Sequence, residues 1–200
     1  MDESARQAVP ATVTSVPATA RPAFARAGAR VNVTLAAAGF ATLAFASYPP
    51  GAGAAIAAFL AAVVVTVAAI DVRDLRIPNR VVLPAAAIVL VADLAWFPGR
   101  MLEFVSAALL AGGVLLVPNL IRRSWMGMGD VKLGLLLGVA LGWGVIGALL
   151  LAFMAVLPVA LIILVRGSAP ARRAALPFGP FMAFGALAVL VVPRFVGLTG

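Results

Sequence analysis

The sequence predicts an all-α protein that crosses a membrane several times. Of its 200 residues, 64% are hydrophobic and 11% are charged, and the mean hydropathy is +1.14. Soluble domains are usually about 45–50% apolar and about 25% charged. Long apolar stretches alternate with short breaks rich in Pro, Gly and Arg, and a spanning helix needs about 17–25 mostly apolar residues. These features predict a polytopic protein embedded in a lipid bilayer.

Seven apolar segments follow one another after a polar start. Residues 1–30 contain three Pro and four Arg and no apolar stretch long enough to insert, so we expect a flexible cytoplasmic tail. The region 131–166 is too long for one span, and Gly142-Trp143-Gly144 is the expected break. If the first segment does not cross the bilayer, six spans remain. The predicted helices cover residues 31–48, 52–70, 81–97, 102–120, 130–143, 145–166 and 175–195.

The arginines predict the orientation of these helices, because short cytoplasmic loops carry an excess of Lys and Arg. With the N-terminus in the cytoplasm, Arg100 and Arg194 lie outside. Twelve arginines then lie inside: Arg6, Arg21, Arg26, Arg30, Arg73, Arg76, Arg80, Arg122, Arg123, Arg166, Arg172 and Arg173. The same orientation puts Asp71 and Asp130 at one face, the cytoplasmic one.

The residue content narrows the chemistry. The chain has no Cys and no His, which removes disulfides, thiolate metal sites and the commonest general base and metal ligand. The side chains left for acid–base chemistry are the seven Asp and Glu residues, Lys132 and Tyr48. We expect no metal or organic cofactor. The net charge is +8, but the arginines lie in short loops as topology signals do, so we expect no nucleic-acid partner.

Two aspartates stand at the edges of apolar segments. Asp71 ends the run Ala68-Ala69-Ile70, and Asp130 follows Gly127-Met128-Gly129. An acid in such a place is costly to insert and indicates a functional site. Two close carboxylates share a proton, so one can take a proton from water while the other polarises a peptide carbonyl. The glycines would allow a sharp turn and a close approach. A structural interpretation stays open, with Asp130 as a helix N-cap and Asp71 as a loop residue beside Arg73.

Three motifs in a fixed order resemble those of the type IV prepilin (leader) peptidases. The first is Ile70-Asp71, five residues, then Ile77-Pro78-Asn79. The second is the G-x-G-D-x-K string from Gly127 to Lys132. The third is Pro177-Phe178-Gly179-Pro180-Phe181, which is similar to the segment that opens the last helix of the family. The resemblance covers about residues 52–195.

The resemblance implies an intramembrane aspartic endopeptidase of the GxGD type. Such an enzyme removes the basic leader from prepilins or pseudopilins, whose apolar N-terminal helix lies in the inner membrane, and it acts at the cytoplasmic face. Asp71 and Asp130 are then the expected catalytic pair. The chain would consist of a six-helix peptidase domain, residues 52–195, preceded by an additional helix at 31–48. The residues expected to support the motifs or bind substrate are Gly127, Gly129, Lys132, Pro78, Asn79, Pro177 and Gly179.

The departures from the family pattern concern a second activity. Larger members carry an added cytoplasmic loop near the N-terminus, often with paired cysteines, that is associated with N-methylation of the trimmed pilin. Here three residues, Pro49 to Gly51, join the first two predicted helices, and there is no cysteine. We therefore expect no methyltransferase activity. The chain resembles the short stand-alone form that serves Flp/Tad pili, but archaeal preflagellin peptidases are also short, so the substrate stays open.

Two other functions remain as alternatives. A small proton- or cation-coupled transporter would use the same aspartates as a relay, although transport sites usually lie near the midplane at broken helices with internal repeats, and no repeat is visible. A non-catalytic scaffold of a pilus assembly would tolerate loss of either aspartate. Asp74, three residues after Asp71 and among three arginines, is interpreted as a solvated carboxylate that pairs locally with Arg.

Further residues carry structural predictions. Asp93 is expected to be a structural hydrogen-bonder or an outer-edge residue, and Glu103 to begin a helix, where an acid is favoured. Lys132 would either bias the charge of the carboxylates or reach toward lipid phosphates. Gly134 and Gly138, four residues apart, predict a closely packed helix pair.

Overall fold

The structure, a computed structural model, describes residues 33–121, 126–166 and 176–191. The tail predicted for residues 1–30 lies outside the described residues. The described ranges form seven α-helices and contain no strand. The helices are α1 (Val33–Ala46), α2 (Ala52–Asp74), α3 (Asn79–Trp96), α4 (Met101–Ile121), α5 (Met128–Leu141), α6 (Gly144–Arg166) and α7 (Gly179–Val191), with one 3₁₀ turn, Pro98–Arg100, before α4.

The predicted all-α membrane fold is confirmed. Four described segments are long and apolar enough to cross a bilayer, namely Ala52–Asp74, Asn79–Trp96, Pro98–Ile121 and Gly144–Val165. Both α1 and α7 are shorter apolar helices. The 14 residues of α5 rise only about 21 Å, against a hydrocarbon core of about 30 Å. A short helix of this kind needs longer neighbours to shield its ends.

Packing places α2 and α5 at the centre of the bundle. Helix α2 contacts α1, α3 and α7, while α5 packs along α4 and α3 and touches α2. Helix α7 fits between α2 and α6. Because α2 ends where α3, α5 and α7 begin, four helix termini meet at one end of the molecule.

Small residues allow α4 and α5 to approach closely, as predicted from Gly134 and Gly138. A Cβ atom on Gly134 would lie 2.6 Å from a Leu115 methyl group. One on Gly138 would overlap the backbone of Ala108. With no lipid able to enter such a contact, backbone packing itself holds the helix pair together.

The predicted break before α6 is also confirmed. Helix α5 ends at Leu141, and Gly142 has φ +53°, a left-handed conformation that glycine adopts without strain. A Cβ atom there would lie 2.5 Å from Oε1 of Glu103, so the same glycine lets the start of α4 pack against the end of α5.

Two acids lie toward the end of the bundle opposite the four helix termini. Glu103 lies in the first turn of α4, as predicted. Its carboxylate accepts bidentate hydrogen bonds from the Arg100 guanidinium group at 2.8–3.1 Å. Asp93 is fully buried, and neither of its carboxyl oxygens has a hydrogen-bond partner in the described structure. Among the described residues Asp93 is therefore not the structural hydrogen-bonder that was one of its two expected roles, while its place in the last turn of α3 agrees with the other, an edge residue.

We expect Gly138→Ala to lower the free energy of unfolding by about 1–3 kcal/mol, because the added methyl group must displace α4. Gly113→Ala is the matched control, since it adds the same methyl to a helical glycine with open space around it. That control should be neutral or stabilising by up to about 1 kcal/mol. Thermal unfolding of both variants in detergent micelles tests the packing, and equal melting temperatures would contradict it.

Candidate active site

The residues singled out in the three motifs converge at the end of the bundle where four helix termini meet. Asp71 lies in the last turn of α2, and Asn79 is the first residue of α3. Asp130 lies in the first turn of α5, and Gly179 is the first residue of α7. Segments more than 100 residues apart thus supply one site.

Asp71 is buried, with 5% of its surface exposed, and a backbone donor holds it. The N–H of Gly179 donates to Asp71 Oδ2 at 2.9 Å. The first N–H groups of a helix have no partner within it and carry the positive end of its dipole. A Cβ on Gly179 would lie 2.7 Å from Asp71 Oδ2, so only glycine lets α7 come this close. The preceding Pro177 is buried beside this contact.

Asp130 is the third residue of α5 and not its N-cap, which corrects the structural interpretation of its position. Its Oδ2 accepts a hydrogen bond from the backbone N–H of Gly127, the actual N-cap, at 3.2 Å. A carboxylate at this position is favoured by the helix dipole. Asp130 is half-buried, so water can reach it from the end of the bundle.

The glycines before Asp130 serve close packing and not a sharp turn. Gly127 has φ −73° and ψ 143°, which any residue adopts. A Cβ on Gly129 would lie 2.7 Å from Cβ of Ile77, which follows α2 and precedes Pro78, the N-cap of α3. The expectation of a turn at these glycines is therefore wrong, and the expectation of close approach is right.

Contacts between the α2–α3 connection and α5 bring the two aspartates together. Besides the Ile77–Gly129 contact, Lys132 Nζ donates to Asn79 Oδ1 at 2.9 Å. The two carboxyl groups therefore lie at the same end of the bundle, on elements that these contacts hold together. The Lys132 side chain thus joins α5 to α3, a contact that neither of the two expectations from the sequence included.

The two carboxyl groups accept hydrogen bonds in the same way. One oxygen, Oδ2, accepts a glycine N–H, while Oδ1 accepts no hydrogen bond from any described residue. One oxygen of each carboxyl group is thus left without a donor from the described residues. Asp74, by contrast, is exposed and forms no described ion pair with the neighbouring arginines, so its local pairing with Arg is not seen. In the described ranges, no cluster of three or more His, Cys, Asp or Glu residues has the arrangement of a metal site.

One polar residue of this region was missed from the sequence. Asn119, in the last turn of α4, is 7% exposed, and its Nδ2 donates to the Met126 carbonyl at 2.6 Å. The only signal was an amide after Pro118 in an otherwise apolar segment.

A comparison with protein families agrees with the first two motifs, while the third, at residues 177–181, lies outside the matched region. Residues 58–165 match the model of the type IV leader peptidase family, which is 108 of 200 residues. The matched region contains Asp71, Asp130 and the Lys132–Asn79 contact. No curated protein and no solved structure matches the chain.

We expect the Lys132–Asn79 hydrogen bond to couple the two residues weakly, because Asn79 is exposed and water competes for it. In a double-mutant cycle of Lys132→Met, Asn79→Leu and the double variant, the coupling energy should be at most about 1 kcal/mol. Thermal unfolding in micelles measures it. Strictly additive effects would mean that the two side chains do not interact.

Proposed function

The chain belongs to the type IV leader peptidase family and is a multi-pass membrane peptidase of the prepilin type, and from this premise we propose that Asp71 and Asp130 are its catalytic pair. The proposed reaction is removal of the basic leader from a prepilin or pseudopilin at the cytoplasmic face of the inner membrane. The observation that carries the proposal is the meeting of two carboxyl groups at one end of the bundle, each with one oxygen left free by its glycine donor.

In the proposed mechanism the pair holds one proton. The ionised carboxylate takes a proton from water as its oxygen attacks the scissile carbonyl carbon, while the protonated partner donates its proton to the carbonyl oxygen. The resulting tetrahedral intermediate is a gem-diol. As its C–N bond breaks, the carboxyl group that took the proton from water gives it to the leaving amine, and one hydroxyl group of the gem-diol returns its proton to the other carboxylate. The pair ends with one proton, as it began, so no metal or organic cofactor is required.

The surrounding residues have supporting roles in this proposal. The N–H groups of Gly179 and Gly127 each hold one oxygen of a carboxyl group and leave the other available to water. Lys132 and Asn79 hold α5 against the start of α3. Pro78 and Pro177 fix the chain at the entries of α3 and α7.

The chemistry of a prepilin substrate fits a site at the end of the bundle. A prepilin brings a basic leader followed by an apolar helix, which would lie in the bilayer beside the bundle and present its junction at the cytoplasmic surface. The positive-inside distribution of arginines supports a cytoplasmic position for the carboxyl groups. We further propose that residues 52–195 form the peptidase domain, that 31–48 is an added helix, and that the chain has no methyltransferase activity.

We expect Asp71→Asn and Asp130→Asn each to reduce leader removal by at least about 10²–10⁴-fold, because an amide can neither accept nor give the required proton. Co-expression with a prepilin from the same genome, followed by mass spectrometry, measures the loss of the leader. Asp74→Asn is the matched control, since Asp74 is exposed and outside the site, and it should cleave normally. Cleavage that survives in either of the first two variants, in folded protein, would sink the mechanism.

We expect Gly179→Ala to reduce cleavage by about a hundredfold, because its methyl group would push the Asp71 carboxyl group out of place by a substantial fraction of an ångström. Gly147→Ala, which makes only an ordinary contact at 3.6 Å with Val189 of α7, should retain activity. The same prepilin assay compares the two. Normal cleavage by Gly179→Ala would show that α7 does not set the position of Asp71.

A further inference from the structure

Asn119 differs from four hydroxyl side chains of the described helical segments in where it donates its hydrogen bond. Thr42, Ser47, Thr66 and Ser106 each donate to a backbone carbonyl three or four residues earlier in their own helical segment. Asn119 instead donates to Met126, seven residues later and beyond the end of α4. A buried amide costs free energy unless it is hydrogen-bonded, and an apolar residue would suit the last turn of α4 better. The contact with Met126 therefore calls for a specific explanation.

The acceptor of this bond belongs to the peptide group that supports Asp130. The carbonyl of Met126 and the N–H of Gly127 are the two ends of one planar peptide, and in a trans peptide they point in opposite directions. Asn119 donates to the carbonyl end at 2.6 Å. The N–H end donates to Asp130 Oδ2 at 3.2 Å.

The hydrogen bond that Asp130 accepts from Gly127 depends on a support of this kind more than the bond that Asp71 accepts from Gly179. The bond from Gly179 to Asp71 is buried and 2.9 Å long. Gly127 is exposed, and its bond to Asp130 is longer, so water competes for both partners. A hydrogen bond to the carbonyl end polarises the peptide and strengthens the N–H as a donor, and it also fixes the plane of the peptide.

We propose that Asn119 is a positioning residue for Asp130 and acts through the Met126–Gly127 peptide. The inference rests on the proposed function of Asp130, but its first link, from Asn119 to the peptide, is independent of that function. Asn119 touches neither carboxyl group, so it changes the reaction only by orienting Asp130. We expect Asn119→Leu, which is similar in size and lacks the donor, to lower kcat about tenfold and to leave KM within about twofold.

Two variants complete the activity comparison. Asn119→Gln keeps the amide donor on a longer side chain and should recover part of the lost kcat. Ser106→Ala is the matched control, because it removes a side-chain hydrogen bond of 2.9 Å from the same helix, far from Asp130 in the chain. It should leave kcat and KM unchanged, and its melting temperature shows how much a structural loss alone matters.

The peptide itself can be observed without any cleavage assay. Met–Gly pairs occur only at Met126-Gly127 and Met128-Gly129. Protein labelled with ¹³C-carbonyl methionine and ¹⁵N-glycine therefore gives two signals in a carbonyl–amide correlation spectrum, and Met128→Leu identifies which is which. In Asn119→Leu the Met126 carbonyl carbon and the Gly127 amide proton should both move upfield. The Met128–Gly129 signal should change less, and Ser106→Ala should move neither.

The outcomes separate this inference from the proposed function. Shifted Met126–Gly127 signals together with reduced kcat support the positioning role. Unchanged signals in Asn119→Leu overturn it, whether or not the wild type cleaves prepilins. Shifted signals with kcat equal to that of Ser106→Ala overturn the link to the reaction. A wild type that cleaves no prepilin defeats the proposed function, while the spectrum still decides whether Asn119 holds the peptide.

Discussion

The structure depends on how two aspartates are accommodated at the same end of an apolar bundle. Burying either carboxylate among lipid tails costs free energy, and so does ionising two carboxyl groups that lie at short range from each other. The bundle meets this constraint by bringing the end of α2 to the beginnings of α5 and α7. Helix beginnings offer backbone N–H groups that have no partner within the helix. Gly127 and Gly179 supply these donors, one for each carboxyl group.

The convergence of these termini requires helices to approach more closely than ordinary side chains allow. Glycine is found at the points of nearest contact: Gly129 against Ile77, Gly179 against Asp71, and Gly138 against Ala108. In a membrane, where apolar side chains gain little by leaving lipid for protein, such close backbone contacts contribute much of the helix association. The packing of the bundle and the geometry of the site thus depend on the same kind of residue.

Features that depend on local sequence could be predicted, and features that depend on pairs of distant residues could not. Hydropathy and arginine distribution predicted the helices, the break at Gly142 and a common face for Asp71 and Asp130. The same information did not reveal that Lys132 bonds Asn79, that Asp93 has no hydrogen-bond partner among the described residues, or that Asn119 reaches Met126. Each of these facts depends on how helices rotate against one another, and a mean hydropathy carries no such information. The presence of glycine before Asp130 does not distinguish a special φ from a close contact, so the sequence predicted both a turn and a close approach there.

Whether the hydrogen-bond donors to the two aspartates are charged or neutral affects how readily the carboxyl groups gain and lose protons. A lysine or arginine paired with either aspartate would hold it ionised and oppose the sharing of a proton. Among the described residues, neither aspartate forms a salt bridge, and the nearby Lys132 is bonded to a neutral amide instead. Backbone N–H groups orient a carboxyl oxygen without adding a full charge, so the group can still gain and lose a proton as the reaction proceeds. Support from neutral peptide groups, with the Lys132 cation bonded to another partner, therefore suits the proposed acid–base role of the two aspartates.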